Sequence, residues 1–578
     1  MSSAWWLDQA ERDRLVAAIQ RGDSEATYWT SLMASAYANR TGYNDIPNWQ
    51  IALAGNLLGR ADYCTQAVAE AQSIVSRDPS GANIRSTSEQ FLRVPELYDA
   101  IALPWAFCKP QTTAAQRAQW AAYLNAGLDA MWVANGNYWP FDDPHNNYFH
   151  HYMYVTALVG VVTEGDNARA SYWRGYYENK VNTRLIPAWT PPQWIGAGGS
   201  EGHYYDAYIY RALWTAHAYG KATGQNIVGR FGFTVPEYLN SELHSTRPDF
   251  SGFWQMGDEA NVASAPFTTN NRSLWLLLMR LAPSSVEAGH AKTLLALSST
   301  GRDYPGRNQR VWSFVWSDRD VTAQPLSTKT DTTLTLPSSG RTFIRTDWTQ
   351  AARGLVLFHN RVDNTPGESH DHVDAPGFQW SAGGTPLVVD PNAYGSSGIV
   401  GTQSNGGATV ANIVRLPNAT TTGGSPVLTR AEDNRGAAIP HTVHAINAQP
   451  YWNNASVYRR EYVTLDALRV VIVYDRIVGG GAKTWQMHVP TGGGPRVLNL
   501  YPAGALTTSA VSGFSGVSAV RQADSSDDYR SLKVLDTGSR VQSATLAQGA
   551  GYLEAVVVID GVTRRVRFFD DGPRATVN

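Results

Sequence analysis

A chain of 578 residues with 43% hydrophobic content can bury large cores, and its length suggests more than one domain. A net charge of −2, a pI of about 6.7 and no run of Lys and Arg exclude the basic footprint of a nucleic-acid binder. No apolar stretch is long enough to span a bilayer; Val470-Val-Ile-Val-Tyr474 is short and flanked by charge, and reads as a buried strand.

The chain starts Met1-Ser-Ser-Ala-Trp-Trp and passes straight into a charged helical pattern. No signal peptide is visible, so the protein is either cytoplasmic or has lost an export leader. Residues 1 to about 300 read as helices. Amphipathic runs cover Glu11–Ile19, Gln66–Val75 and Glu89–Leu103. A stripe through Trp120, Leu124, Leu128 and Met131 follows, capped by Thr112 or Thr113. Further runs are His150–Val162, Tyr204–Tyr219, Leu274–Leu281 and Val286–Leu297. Roughly ten helices in one block suit a ring of helical hairpins as well as a bundle. The two cysteines, Cys64 and Cys108, lack metal-site spacing. Their apolar surroundings favour buried thiols over a disulfide.

Residues 301–339 read as a junction. Beyond it the helical stripes disappear and short β-rich runs take over, such as Thr342–Arg345, Gly354–His359, Leu468–Tyr474, Tyr552–Ile559 and Arg565–Phe569. Gly, Asn, Asp and Ser turns separate them, so residues 340–578 read as an antiparallel β-sandwich or stacked sheets.

Aromatics are abundant, with 20 Trp, 28 Tyr and 16 Phe, and many sit in polar, loop-like contexts such as Asn137-Tyr-Trp139-Pro-Phe141. Two readings stay open: aromatic packing in large cores, and a groove whose rings stack on sugar faces.

Three clusters carry chemistry. Asp142-Asp-Pro-His145-Asn-Asn147-Tyr-Phe-His150-His-Tyr152 sits where a loop leads into a helix, a place that presents free backbone N–H groups. Asn147, His150 and Tyr154 share a helical face. Gly198-Gly-Ser-Glu201-Gly-His203-Tyr-Tyr205-Asp-Ala-Tyr208 again opens a helix from a Gly-rich loop. A tyrosine beside positive charge can move protons, and Glu201 lies four residues from Tyr205. The third cluster is Glu368-Ser-His370-Asp-His372-Val-Asp374, followed by two β-rich runs split at Gly383-Gly384. That split reads as a hairpin returning Asp390 towards the histidines. Histidines and carboxylates gathered this way suit proton transfer or metal binding.

The third cluster and its surroundings resemble the heparinase II/III-like polysaccharide lyases. Gly340-Arg-Thr-Phe-Ile-Arg-Thr-Asp-Trp348 is similar to their first strand in the β domain, and His370-x-His372-x-Asp374-x-x-x-Phe378 with Gly384 and Pro386-Leu-Val-Val-Asp390 to their signature. Arg459–Val463, Val471–Arg476 and Trp485–His488 resemble later strands, and Glu201-Gly-His-Tyr-Tyr205 the helical half. The resemblance implies an N-terminal (α/α) toroid followed by a β-sheet domain, with β-elimination in the cleft between them. It implies that Tyr205 moves protons, that His150 and Asn147 neutralise a uronate carboxylate, and that His370 is the catalytic histidine of the β domain. Glu201, His203, Tyr208, Trp139 and Arg345 become expected substrate contacts, Arg345 as a bidentate grip on acidic groups.

The resemblance also implies a structural divalent metal, zinc or calcium, held by His372 and Asp390, with no organic cofactor. The family's third ligand falls where this chain has Ala411-Asn412, leaving that ligand unassigned unless His441 or His444 substitutes. The expected partner is an acidic polysaccharide, with no nucleic acid and no membrane span. The expected location is the bacterial periplasm or outside the cell. Two other readings stand beside this one. A glycoside hydrolase on a helical ring would pair carboxylates such as Asp142, Asp143, Glu201, Asp258 and Glu259. A carbohydrate-binding protein would lack turnover.

Overall fold

The structure is a computed structural model. It describes residues 5–85, 93–135, 142–144, 147–190, 203, 206–256, 265–266, 269–298, 309–337, 339–359, 375–391, 411–416, 426–452, 454–512 and 514–578. The helices are α1 (Gln9–Arg21), α2 (Ser24–Ala38), α3 (Asn48–Leu58), α4 (Ala61–Arg77), α5 (Ala82–Arg85), α6 (Val94–Phe107), α7 (Ala114–Asn135) and α8 (Asn147–Val162). Then come α9 (Ala170–Lys180), α10 (Ile186–Trp189), α11 (Asp206–Thr223), α12 (Val235–Ser245), α13 (Thr269–Leu281), α14 (Val286–Leu297) and α15 (Val311–Val315).

Local sequence fixes several helix ends. The Asp8 carboxylate accepts from the Glu11 N–H at the start of α1, and Gly22 ends that helix at φ 72°. Thr234 and Glu237 cap each other at the start of α12. The ring is a matter of packing order. α2 packs on α3, α3 on α6, α6 on α8, α8 on α11, α11 on α13, α13 on α15, and α15 returns to α2. α4, α7 and α9 flank this circle. One continuous core fills it, with Trp29, Trp105, Trp120, Trp173, Trp275 and Trp316 wholly buried. That core also takes in Val311, Phe314, Val321 and Leu326, so the expected junction contributes to the helical half.

Cys64 and Cys108 are joined in a disulfide, with Cα atoms 5.3 Å apart. The preference for free thiols is thereby corrected. Apolar surroundings suit a bridge as well as a thiol, and the packing of α4 against α6, which local sequence does not reveal, brings the two together.

The β half is antiparallel throughout. Its first sheet runs in chain order: β3 (Thr333–Leu336), β4 (Arg341–Arg345), β5 (Arg353–Phe358), β6 (Phe378–Ala382) and β7 (Thr385–Val388). A two-stranded pair, β1 (Gly252–Phe253) with β2 (Ala265–Pro266), precedes it in the helical half. A six-stranded sheet follows the order β14 (Arg496–Tyr501), β17 (Asp528–Asp536), β12 (Val470–Gly479), β11 (Ala455–Leu465), β10 (His441–Asn447) and β9 (Val427–Asn434). Two four-stranded sheets complete the half. One is β15 (Thr507–Ala510), β16 (Val517–Asp524), β13 (Lys483–Pro490) and β8 (Val414–Arg415). The other is β18 (Val541–Gly549), β19 (Tyr552–Ile559), β20 (Val562–Phe569) and β21 (Thr576–Val577).

The first sheet meets the helical half through a seam. Trp254 and Met256 pack with Leu336, Phe343, Val356, Phe358 and Ala375. Arg345 is 3% exposed, with its guanidinium 3.9 Å from the Trp348 ring centre and 5.5 Å from that of Phe250. Burial pushes its pKa down to about 9. Its Nη2 donates to the Arg247 carbonyl at 3.4 Å. The expectation that Arg345 grips substrate carboxylates gives way here. A polysaccharide could reach this cation only by opening the seam, and its place between two aromatic rings makes it a brace.

Candidate active site

α8 and α11 lie side by side in the ring, and both begin at clusters picked out in the sequence. Asn147 and His150 occupy the first turn of α8, and Tyr208 the first turn of α11. The His150 ring is buried, with Nε2 2.8 Å from the Pro144 carbonyl. A carbonyl only accepts, so that nitrogen carries the proton and ties residue 144 to the helix. The Trp189 ring lies 5.5 Å away. Asp142 is engaged by Lys180 at 2.5 Å and Arg184 at 2.8 Å, which removes it as a free acid for hydrolysis.

One turn further along α8, the Tyr154 hydroxyl donates to Asp99 at 2.5 Å, with the Arg211 guanidinium 4.9 Å from the Tyr154 ring centre. Burial pushes Asp99 up to about 7 against the opposing pull of Arg211. Sequence reading missed this trio, because its members come from α6, α8 and α11 and no local spacing relates them.

His203 stands just before α11. Its ring stacks on Phe253 at 3.6 Å, and its Nδ1 lies 3.7 Å from Glu242 Oε2, which also accepts from Trp275 at 3.1 Å. Burial pushes the His203 pKa down to about 4, outweighing Glu242, so the ring is neutral at pH 7. A buried neutral ring on an aromatic face is placed to support the start of α11.

From Phe253 the chain runs directly into the seam, where Met256 packs in one cluster with Ala375. The Gln379 side chain donates to the Gln255 carbonyl. Ala375 is the first described residue after 360–374, the segment that holds His370 and His372. Its two ends meet, since the Phe358 N–H donates to the Gly377 carbonyl at 3.0 Å. The chain positions flanking Tyr205 and those flanking His370 thus converge on one short strip, residues 253–256. Tyr205, His370, His372, Glu201 and Trp139 themselves lie outside the described residues, as do the side chains of Asn147 and Tyr208.

The expected hairpin is present: β6 pairs with β7 across Gly383 and Gly384. The Asn412 side-chain amide donates to both Phe378 and Val389 carbonyls at 2.8 Å, so the chain at Asp390 does return to the start of β6. Asp390 is buried. Ala411 buries a methyl group where a third metal ligand was expected, and its carbonyl accepts from Gln486 at 2.9 Å. His441 places Nδ1 2.7 Å from the Ile439 carbonyl, and burial pushes His444 down to about 4. Among the described residues no three His, Cys, Asp or Glu side chains gather. His372 lies outside those residues, and no step below passes through a metal.

A second feature went unread in the sequence. The Pro376 carbonyl, two residues past Asp374, accepts from Tyr462 at 2.5 Å and from Arg460 at 3.4 Å. Arg460 also donates to the Asn412 carbonyl at 2.5 Å and pairs with Asp475 at 2.5 Å, all of it buried. The available signal was charge on an inward-facing strand position.

No family model matches the chain, and no curated protein sequence matches it. Solved structures do. Heparan sulfate lyase HepC from Pedobacter heparinus superposes with a TM-score of 0.57 at 14% identity, covering 90% of this chain and 81% of its own. Heparinase III superposes with a TM-score of 0.59 at 13% identity and the same coverage. The chain has the heparinase II/III-like fold. In that fold, the closed circle of helices and the stacked antiparallel sheets belong to one architecture that spans nearly the whole chain. No helix among the described residues is long and apolar enough to cross a membrane.

Proposed function

We propose that this chain is a polysaccharide lyase that cleaves a uronic-acid-containing polysaccharide by β-elimination, leaving a 4,5-unsaturated uronate end. The observation that carries this reading is a heparinase-like fold over 90% of the chain, shared with a heparan sulfate lyase and with heparinase III. The convergence of the Tyr205 and His370 neighbourhoods on residues 253–256 supports it.

The hydrogen on C5 of a uronate is a very weak acid. Asn147 neutralises the adjacent carboxylate, so that charge from the breaking C5–H bond spreads into it, while the buried His150, its proton on the Pro144 carbonyl, holds the entry to α8 in place. Donors already in place when that charge develops contribute most. Tyr205, as phenolate, takes the C5 proton. The electron pair left on C5 forms the C4–C5 double bond as the C4–O bond breaks. The departing oxygen takes a proton from Tyr205 or His370. Glu201, Tyr208 and Trp139 line the sugar, and His203 supports the start of α11. A bacterial periplasmic or extracellular setting goes with this reading, and the Cys64–Cys108 bridge favours an oxidising compartment.

A screen of alginate, glucuronan and glycosaminoglycans, followed by ultraviolet absorbance of the unsaturated product, tests the reaction. Absorbance should grow with one of these polymers. New reducing ends without that chromophore would replace the lyase with a hydrolase. Tyr205→Phe should lower the rate by about 10²–10⁴-fold; a full rate in that variant would remove Tyr205 as the base.

A further inference from the structure

A cavity of about 460 Å³ lies in the β half, walled by Thr346 and by hairpin tips at 435–441, 464–468 and 559–564. It opens where the core between the six-stranded sheet and the sheet of β18–β21 runs out. Thr346 sits at the end of the first sheet where β5 begins, whereas the segment 360–374 leaves from the other end of β5. Six residues of strand put roughly 20 Å between them, so this cavity is separate from the candidate active site.

Its apolar lining includes Leu465, Leu468, Ile559 and the exposed Val562. Among the described residues no aromatic ring other than His441 lines it, so they offer no flat platform on which a sugar stacks. The charges at its rim are mostly spent. Arg540 pairs with both Asp466 and Asp560, and Arg435 is committed to Asp433, Thr333 Oγ1 and the Arg345 carbonyl. Arg564 is the exception. It lines the cavity, is half-buried, and has no hydrogen bond or ion pair among the described residues. One wall is held in disfavoured backbone: Asp466, Ala467 and Leu468 have φ of 48°, 48° and 60°. Trp380 and Arg353 fix that turn by donating to the Leu468 and Ala467 carbonyls, each at 3.1 Å.

We propose that this cavity binds a monocarboxylate with an aliphatic body. The hydrocarbon covers the four aliphatic side chains, and the carboxylate takes the one uncommitted guanidinium in a two-pronged contact. The rigid turn leaves the cavity formed before the ligand arrives.

Calorimetric titration of the full chain with octanoate tests this. Octanoate should bind one to one. Arg564→Gln should weaken it by about tenfold or more, and 1-octanol should bind the parent chain correspondingly more weakly. Val562→Trp fills the cavity from an exposed position, and should abolish binding without changing the melting temperature. No octanoate binding to the parent chain, equal affinity in Arg564→Gln, or glucuronate binding as tightly as octanoate would each overturn the proposal. None of these readouts involves turnover, so they stand or fall apart from the lyase reading.

Discussion

The two halves reach a fixed shape by different means. The helical half closes a circle around one core rich in wholly buried tryptophans, stapled by Cys64–Cys108. The β half splits its apolar interior into separate clusters and runs polar braces between them, with Arg460 joining Asp475, Asn412 and Pro376. Apolar packing is tolerant of small shifts. A buried charge is not, because moving it costs its partners. The halves therefore divide the work: the helices supply the walls, and the buried polar braces fix where chain segments leave the sheets.

Both halves share one weakness, and it should give the largest effect. Burial pushes His203, His217 and His244 in the helical half to about 4, and His359, His444 and His488 in the β half to about 3 to 4. Their folded pKa values lie below the unfolded value of 6.5, so the unfolded chain binds more protons in between. Stability is present above pH 6.5 and lost as pH falls towards 4. Asp99 and Glu461, both raised to about 7, act oppositely but are two against six. Denaturant midpoints measured from pH 7 to pH 4 should fall in both halves. A flat profile would contradict neutral burial of these rings.

Arg460→Ala separates the halves next. It strands Asp475, which is wholly buried, and should cost about 3–5 kcal/mol in urea unfolding. Replacing both partners with apolar residues should recover much of that loss. Removing the disulfide as Cys64→Ala with Cys108→Ala should cost up to about 4 kcal/mol for its 44-residue separation, and should loosen the helical half first. Hydrogen exchange would show which half opens. The smallest effect belongs to Thr234→Ala, which breaks the capping box of α12 for about 1 kcal/mol.

The sequence was legible where periodicity or turn chemistry is local. α7, α8, α11 and α14 followed from apolar stripes, and the β6–β7 hairpin from its paired glycines. α3 was missed because it is buried nearly all round, which removes the polar face that makes a helix visible. The disulfide, the Asp99–Tyr154–Arg211 trio and the Arg460 brace all depend on which elements become neighbours. Arg345 was misread for a related reason: an arginine on a strand looks the same whether it faces a groove or a seam. His150, His203 and Asp390 were legible as polar residues at element ends, while their partners were not.

Arg345 has one more consequence. Its side chain is inserted between Phe250 of the helical half and Trp348 of the β half, and its own carbonyl accepts from Arg435 at 2.7 Å. Rocking one half against the other would pull this cation off the Phe250 face while Trp348 moved with it, and would open the seam beside a buried charge. The molecule is built as a vice set to one gap, not as a pair of jaws.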